Sequence, residues 1–246
     1  DGEIDSQWKQ WRKITNFYKW CRKEGVYLNV PDWYYLSGSN KNGMGYKEVN
    51  WSLPRERQII IGRQNIYDGT WDKTPSMGWM FVPLTEYHGG GEQATIEPLC
   101  EHIDTYKSHM VNNFTAGVQA CYRGLRLYDT IETKNMVKSM VCFYKKYRQI
   151  LDSDIIHVIR PDGRDIDCIL HVNPNLKIKG MAIIYNPLNT TVQKKITLPL
   201  YYTGLTDTAN VCEMDGKNII YKLDRNYKVE IDVKVNPNDY TWYTIK

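Results

Sequence analysis

The period of the apolar residues changes once along this chain, near residue 154, and that change limits the folds open to it. Downstream, helical spacing is gone. "IIHVI", "DCILHV", "GMAIIY", "KKITLPL", "NIIYKL", "YKVEIDVKV" and "YTWYTI" are short strand-like runs. Turn signals such as "RPDGR", "YNPLN" and "EMDGK" separate them. "KVEIDVKV" alternates strictly, which buries one face and wets the other. Seven strands with no helix between them predict an antiparallel β-sandwich over 153–246.

Upstream, helices and short buried strands take turns. "DSQWKQWRKITNFYKWCRKEG" repeats Trp8, Trp11, Ile14 or Thr15, Tyr18 and Cys21 at helical spacing, and Gly25 sits where a left-handed C-terminal cap belongs. "VYLNV" (26–30) is too short and too continuously apolar for anything but a doubly covered strand. A polar, Gly-rich loop leads to a helix opened by Ser52 and Pro54, with proline in its first turn. "GWMFVPL" (78–84) and "GVQACY" (117–122) are two more buried strands. Between them Ile96, Leu99, Ile103, Tyr106 and Met110 mark a helix. A last helix runs from Asp129 to Leu151, with Asp129 and Glu132 as its capping box.

Helix, strand and loop in repetition build a parallel sheet with helices outside. Three strands cannot close a barrel, and their edges would be left open. A Rossmann-like open sheet is the rival, but no Gly-rich phosphate loop joins a strand directly to a helix; "YHGGGEQ" lacks that fingerprint. The expected fold is therefore the C-terminal half of a (β/α)8 barrel over 1–152, followed by the sandwich.

Charge and composition exclude several classes. The net charge is +4 with the signs interspersed, so a nucleic-acid partner is not expected. No stretch approaches the roughly 20 apolar residues of a membrane span. The six cysteines have no metal-finger spacing and read mainly as buried free thiols. No metal or cofactor is expected. The opening "DGEIDSQW" carries neither an initiating Met nor a signal peptide and reads as a cut piece of something longer. Tyr and Trp number 19 and 8 against 4 Phe, a bias that suits half-wet binding surfaces over a plain core.

One stretch concentrates that bias. "GVYLNVPDWYYLSGSN" runs apolar residues into Asp32 and stacks Trp33, Tyr34 and Tyr35 behind it. A core strand has no need of the carboxylate, and a surface loop has no need of the rings; a sugar-binding cleft at a strand's end needs both. Asp32 is the first candidate acid, with a turn-forming or N-cap Asp as the structural alternative. Glu86, in "LTEYHGG", is the second, its alternative being a solvated loop residue. With His88, Glu92 and Glu97 it could instead contribute to a calcium site, although the spacing matches no known loop. Trp33, Tyr34, Trp51, Trp71 and Trp79 are candidates for stacking on a sugar, and core packing is the alternative for each. Arg123 can fork onto sugar hydroxyls or pair with Asp129. His157 and His171 fall in sandwich strands and read as structural.

A short half-barrel followed directly by a small sandwich, together with "DWYYLSGSNKNGMGYKEVNWSLPRERQ", "GWMFVPLTEYHGGG", "GVQACYRGLRLYD", "YKKYRQILDSDIIHVIRPDGRDIDCILHVNP" and "YNPLNTTVQKKITLPLYYTGL", resembles the clan-D glycoside hydrolases, the α-galactosidase group. The resemblance implies that 26–30, 78–84 and 117–122 are the sixth, seventh and eighth barrel strands, with chemistry at their C-terminal ends. It implies a retaining α-glycosidase with Asp32 as acid/base and its nucleophile upstream of Asp1. It further implies a carbohydrate substrate, the N-terminal remainder of the same protein as partner, and a secreted or periplasmic bacterial location.

Overall fold

The computed structural model describes residues 6–26, 49–70, 79–85 and 91–246. They divide into two compact units, Asp1–Lys146 and Tyr147–Lys246. The strand expected over 26–30 lies outside the described residues, except for Val26.

The first unit holds α1 (Ser6–Lys23), α2 (Arg55–Gly69), β1 (Trp79–Pro83), α3 (Ile103–Thr115), β2 (Gln119–Arg123) and most of α4 (Ile131–Leu151). α1 ends as its sequence predicts: Gly25 takes φ +71, and the Val26 N–H returns to the Cys21 carbonyl at 2.8 Å. Pro54 is the cap of α2, one place ahead of the first turn, and its carbonyl accepts the N–H groups of Arg57 and Gln58.

β1 and β2 pair in parallel, Trp79 against Gln119 through Pro83 against Arg123. Parallel strands need a crossover, and α3 supplies it. α3 packs on α2, where the Asn112 side chain donates to the Ile59 carbonyl at 3.1 Å. On another side an aromatic chain links α3 to β2 and α4. Tyr106 meets Tyr122 edge-on at 5.9 Å, Phe114 stacks on Tyr122 at 6.4 Å, and Tyr144 tilts against Phe114 at 5.6 Å.

Two sequence-based boundaries shift. The helix expected from Ile96 begins at Ile103, and Ile96 and Leu99 are buried in the turns before it. Pro98 keeps Glu97 away from helical backbone, and the N–H groups of Ile96 and Glu97 bond to Leu84 instead. The capping box of α4 is Thr130 with Thr133, one residue later than expected. The Thr133 hydroxyl accepts the Thr130 N–H at 3.0 Å, and the Thr130 hydroxyl accepts the Thr133 N–H at 3.3 Å. A threonine at the third helical position reaches back as a glutamate would.

The second unit begins in the last turn of α4 and is otherwise antiparallel. Its strands are β3 (Asp154–Ile159), β4 (Asp167–Val172), β5 (Gly180–Asn186), β6 (Val192–Pro199), β7 (Thr208–Glu213), β8 (Asn218–Lys222), β9 (Lys228–Val235) and β10 (Asp239–Ile245). Six form one sheet in the order β3-β4-β5-β10-β7-β8, and β6 pairs with β9 in a second. Both sheets feed one apolar core. Cys168, Leu170, Ala182 and Ile184 come from the first, and Ile196, Leu198, Val229, Ile231 and Val233 from the second. β9 alternates as its sequence predicts, with Lys228, Glu230, Asp232 and Lys234 facing water. β4 and β5 are buried on both faces. On the face opposite that core, Tyr147 from the last turn of α4 meets Trp242 at 6.3 Å and donates to Asp215 at 2.6 Å.

β7, "TANVCE", is the strand that the sequence reading missed. Ala and Asn are weak strand formers, and the run is short and lies beside a Gly- and Asp-containing turn. Two paired neighbours, β10 and β8, hold it in place regardless.

Candidate functional site

The C-terminal ends of β1 and β2 lie side by side, and the loops that leave them form a rim. Beyond the ladder, the Arg123 carbonyl accepts the Leu84 N–H at 2.8 Å and the Thr85 N–H at 3.4 Å. The Leu84 carbonyl then accepts the Glu97 N–H (2.8 Å), the Ile96 N–H (3.2 Å) and the Thr95 hydroxyl (2.9 Å). The loop after β1 therefore closes on its own beginning.

The first turn of α2 braces the same loop. Arg55 Nη2 donates to the carbonyls of Glu92 (3.0 Å) and Thr95 (3.2 Å). The buried Gln58 amide faces the carbonyls of Trp51, Leu53 and Gln93 at 2.7–2.9 Å. His102 Nδ1 lies 2.9 Å from the Ile96 carbonyl, and since a carbonyl only accepts, the ring carries its proton there. Beside this brace a groove of about 510 Å³ is lined by Ser52, Pro54, Arg55, Glu56, Ile59, Gln93 and Thr105.

A bidentate ion pair ties the two rim loops together. Arg126 Nε and Nη2 donate to the two Glu97 carboxylate oxygens at 3.1 and 3.0 Å. Hydrogen bonding to Glu97, aided by its charge, raises the Arg126 pKa further. The fork is half open to water, with Arg126 55% and Glu97 18% exposed, so it orients the loops more than it stabilises them. Asp129 accepts the Cys100 N–H at 3.0 Å and the Thr133 hydroxyl at 2.9 Å. Desolvation works against the charged carboxylate, but these bonds outweigh it and hold the Asp129 pKa below the usual range. Desolvation and the Asp129 charge push the exposed Cys100 thiol up, which makes it a poor nucleophile.

Gly124, the first residue after β2, is where the rim is tightest. A Cβ built there would lie 2.6 Å from Leu84 Cβ, an atom fixed to the neighbouring backbone. Gly124→Ala is expected to lower stability by roughly 1–3 kcal/mol by prising the strand ends apart. Urea unfolding reads this directly, and an unchanged midpoint would show that the Leu84 end yields freely.

Of the residues singled out from sequence, Asp32, Trp33, Tyr34, Trp71, Glu86 and His88 lie outside the described residues. Arg123 ends β2 at the rim and is exposed. Strand alternation puts it on the face of Cys121, opposite that of Tyr122. Trp51 is 9% exposed and packs with Val49 and Ala94, flanked by Ile61 and Cys121. Its ring lies 5.5 Å from that of His109, so packing accounts for it.

The Glu97–Arg126 fork is what sequence reasoning missed. The sequence offers Glu97 only as an oxygen ligand for calcium, and its spacing marks Arg123 at this rim rather than Arg126. Among the described residues, no group of three or more His, Cys, Asp or Glu side chains could hold a metal ion. No described helix is long and apolar enough to cross a membrane. All six cysteines lie among the described residues, and none is joined in a disulfide.

No protein-family model matches this chain, and no curated protein matches it. Solved structures do. A GH36 α-galactosidase, AgaA from Geobacillus stearothermophilus in complex with 1-deoxygalactonojirimycin, matches 76% of this chain and 24% of its own, at TM-score 0.53 and 14% identity. A GH27 β-L-arabinopyranosidase from the same organism matches 83% and 46%, at TM-score 0.50 and 9% identity. An α-amylase from Geobacillus thermoleovorans matches 82% and 52%, at TM-score 0.50 and 12% identity. The chain spans between a quarter and about half of these structures. The likeness is one of fold, and the fold is glycoside-hydrolase-like.

Proposed function

We propose that this chain is the C-terminal portion of a glycoside hydrolase that cleaves α-linked glycosides by a two-carboxylate mechanism. Residues 1–152 would complete a (β/α)8 barrel, and 153–246 would form a supporting β-sandwich. One observation carries the reading. A parallel β1–β2 pair with helices and braced loops at its C-terminal end is followed in the chain by antiparallel sheets, and 76% of the chain is similar in fold to part of an α-galactosidase. In barrels of this kind the chemistry belongs to the C-terminal ends of the strands.

In this reading Asp32 protonates the departing glycosidic oxygen and then activates water, and Glu86 is the alternative acid. The nucleophile belongs to the barrel's earlier strands. Trp33, Tyr34 and Trp71 offer ring faces to the sugar. His88 and Arg123 hydrogen-bond its hydroxyls from the loops after the seventh and eighth strands. The Glu97–Arg126 fork holds those two loops at a fixed separation. Such a reaction draws its charge stabilisation from two carboxylates and uses no cofactor. The proposed setting is secreted or periplasmic, and the proposed partner of residues 1–152 is the N-terminal remainder of the same protein.

The test is turnover by the full-length protein. Aryl α-glycosides and raffinose should be hydrolysed, with 1-deoxygalactonojirimycin competing for the α-galactoside. Saturable sugar binding without hydrolysis of any α-glycoside would replace the enzyme with a carbohydrate-binding or assembly module.

A further inference from the structure

We propose a second carbohydrate-binding surface, on the unit Tyr147–Lys246, formed by Tyr201, Tyr202 and Tyr227 and taking an oligosaccharide of pyranose units. It needs no catalytic carboxylate and does not rest on the proposed reaction.

Tyr201 and Tyr202 stand in a single 3-10 turn just after β6, and Tyr227 stands in the turn between β8 and β9. The Leu200 N–H donates to the Tyr227 carbonyl at 2.8 Å and holds the two turns together. Tyr201 meets Tyr202 at 5.1 Å and 90°, and Tyr227 at 5.4 Å and 74°. The three residues are 60%, 60% and 36% exposed. The three rings meet edge to face and remain partly open to water.

Tyr227 carries the argument further. Its φ is +58, a conformation that bulky L-residues avoid and that Gly or Asn adopts with less strain. The turn is over-determined around it. The Tyr227 N–H bonds to the Asp224 carbonyl at 3.0 Å, and one Asp224 carboxylate oxygen takes the N–H groups of Asn226 and Lys228, each at 2.8 Å. A strained aromatic held firmly at a surface points to a use outside the fold.

The chemistry of the patch selects the occupant. Tyrosine joins a flat apolar face to a polar edge, and exposed Arg225 and Asn226 share the Tyr227 turn. A pyranose matches this pairing, with C–H bonds on its face and hydroxyls around its rim. The ring faces take the former. The phenols, Arg225 and Asn226 take the latter.

The experiment titrates the whole chain with maltoheptaose and with stachyose, followed by NMR of tyrosine ring protons. At least one sugar should shift the rings of all three tyrosines saturably. Tyr201→Ala and Tyr202→Ala should each weaken binding roughly tenfold. Tyr201→Phe should retain most of the affinity. Tyr227→Gly should lose affinity while keeping or raising Tm, because glycine takes that backbone without strain. Failure of both sugars to bind saturably would overturn the proposal. So would unchanged affinity in the alanine variants, or a Tyr227→Gly variant that loses Tm but keeps its affinity. A protein inactive on α-glycosides that still binds sugar through these rings leaves the proposal standing.

Discussion

Replacing Asp32 with alanine in the full-length protein is expected to lower turnover of natural α-glycosides by roughly 10²–10⁴-fold, the usual contribution of general acid–base catalysis. Natural leaving groups are poor and need a proton as the bond breaks. Aryl glycosides with good leaving groups need little protonation, so their first step should be far less affected. Azide should then restore their turnover, because it needs no general base and can replace the water that Asp32 no longer activates. In a retaining enzyme the partner carboxylate lies about 5–5.5 Å away, whereas an inverting pair stands roughly 6.5–9.5 Å apart. Wild-type activity in the variant would remove Asp32 from the role and leave Glu86 as the acid.

Lowering the pH should weaken the first unit through His109. This side chain is 3% exposed on α3, lies against Trp51, and its Nε2 has no hydrogen-bond partner. Desolvation lowers its pKa from 6.5 to about 4. The neutral ring belongs to the folded state, while the unfolded chain takes up a proton near 6.5. Stability is therefore intact above that pH and declines as the pH falls from 6.5 toward 4. The full drop is worth roughly 3 kcal/mol. Asp129 and Asp165 have lowered pKa values too, and they contribute acid sensitivity of their own at lower pH. The comparison of wild type with His109→Gln isolates the histidine. Denaturant melts at pH 7 and pH 4.5 should show a smaller acid loss in the variant, and equal losses would show that His109 is protonated without penalty in the fold.

Where periodicity was strong and local, it was legible. β9 alternates in the structure as in the sequence, and Gly25 closes α1 in the left-handed conformation expected of it. Where a neighbour's backbone competed, local reading failed. Ile96 fits a helical pattern with Ile103 and Met110, yet its N–H is taken by Leu84, twelve residues upstream. β7 lacks the long apolar run that marks its neighbours, and β10 and β8 hold it with two ladders. Trp51 drew attention as an aromatic in a loop, but only its environment shows that Val49, Ala94 and His109 occupy its surface.

The sequence by itself determined the change of architecture near residue 154, the left-handed close of α1 at Gly25, and the core face of β9. Each depends on residues close together in the chain, where spacing alone decides which face is buried. Tertiary structure decided the pairing of Glu97 with Arg126, the contact between Gly124 and Leu84, the desolvation of His109, and the meeting of Tyr201, Tyr202 and Tyr227. Glu97 and Arg126 are 29 residues apart, and nothing local marks either for the other. They meet because the parallel pairing of β1 with β2 puts both exits on one rim, and chain spacing does not encode that proximity.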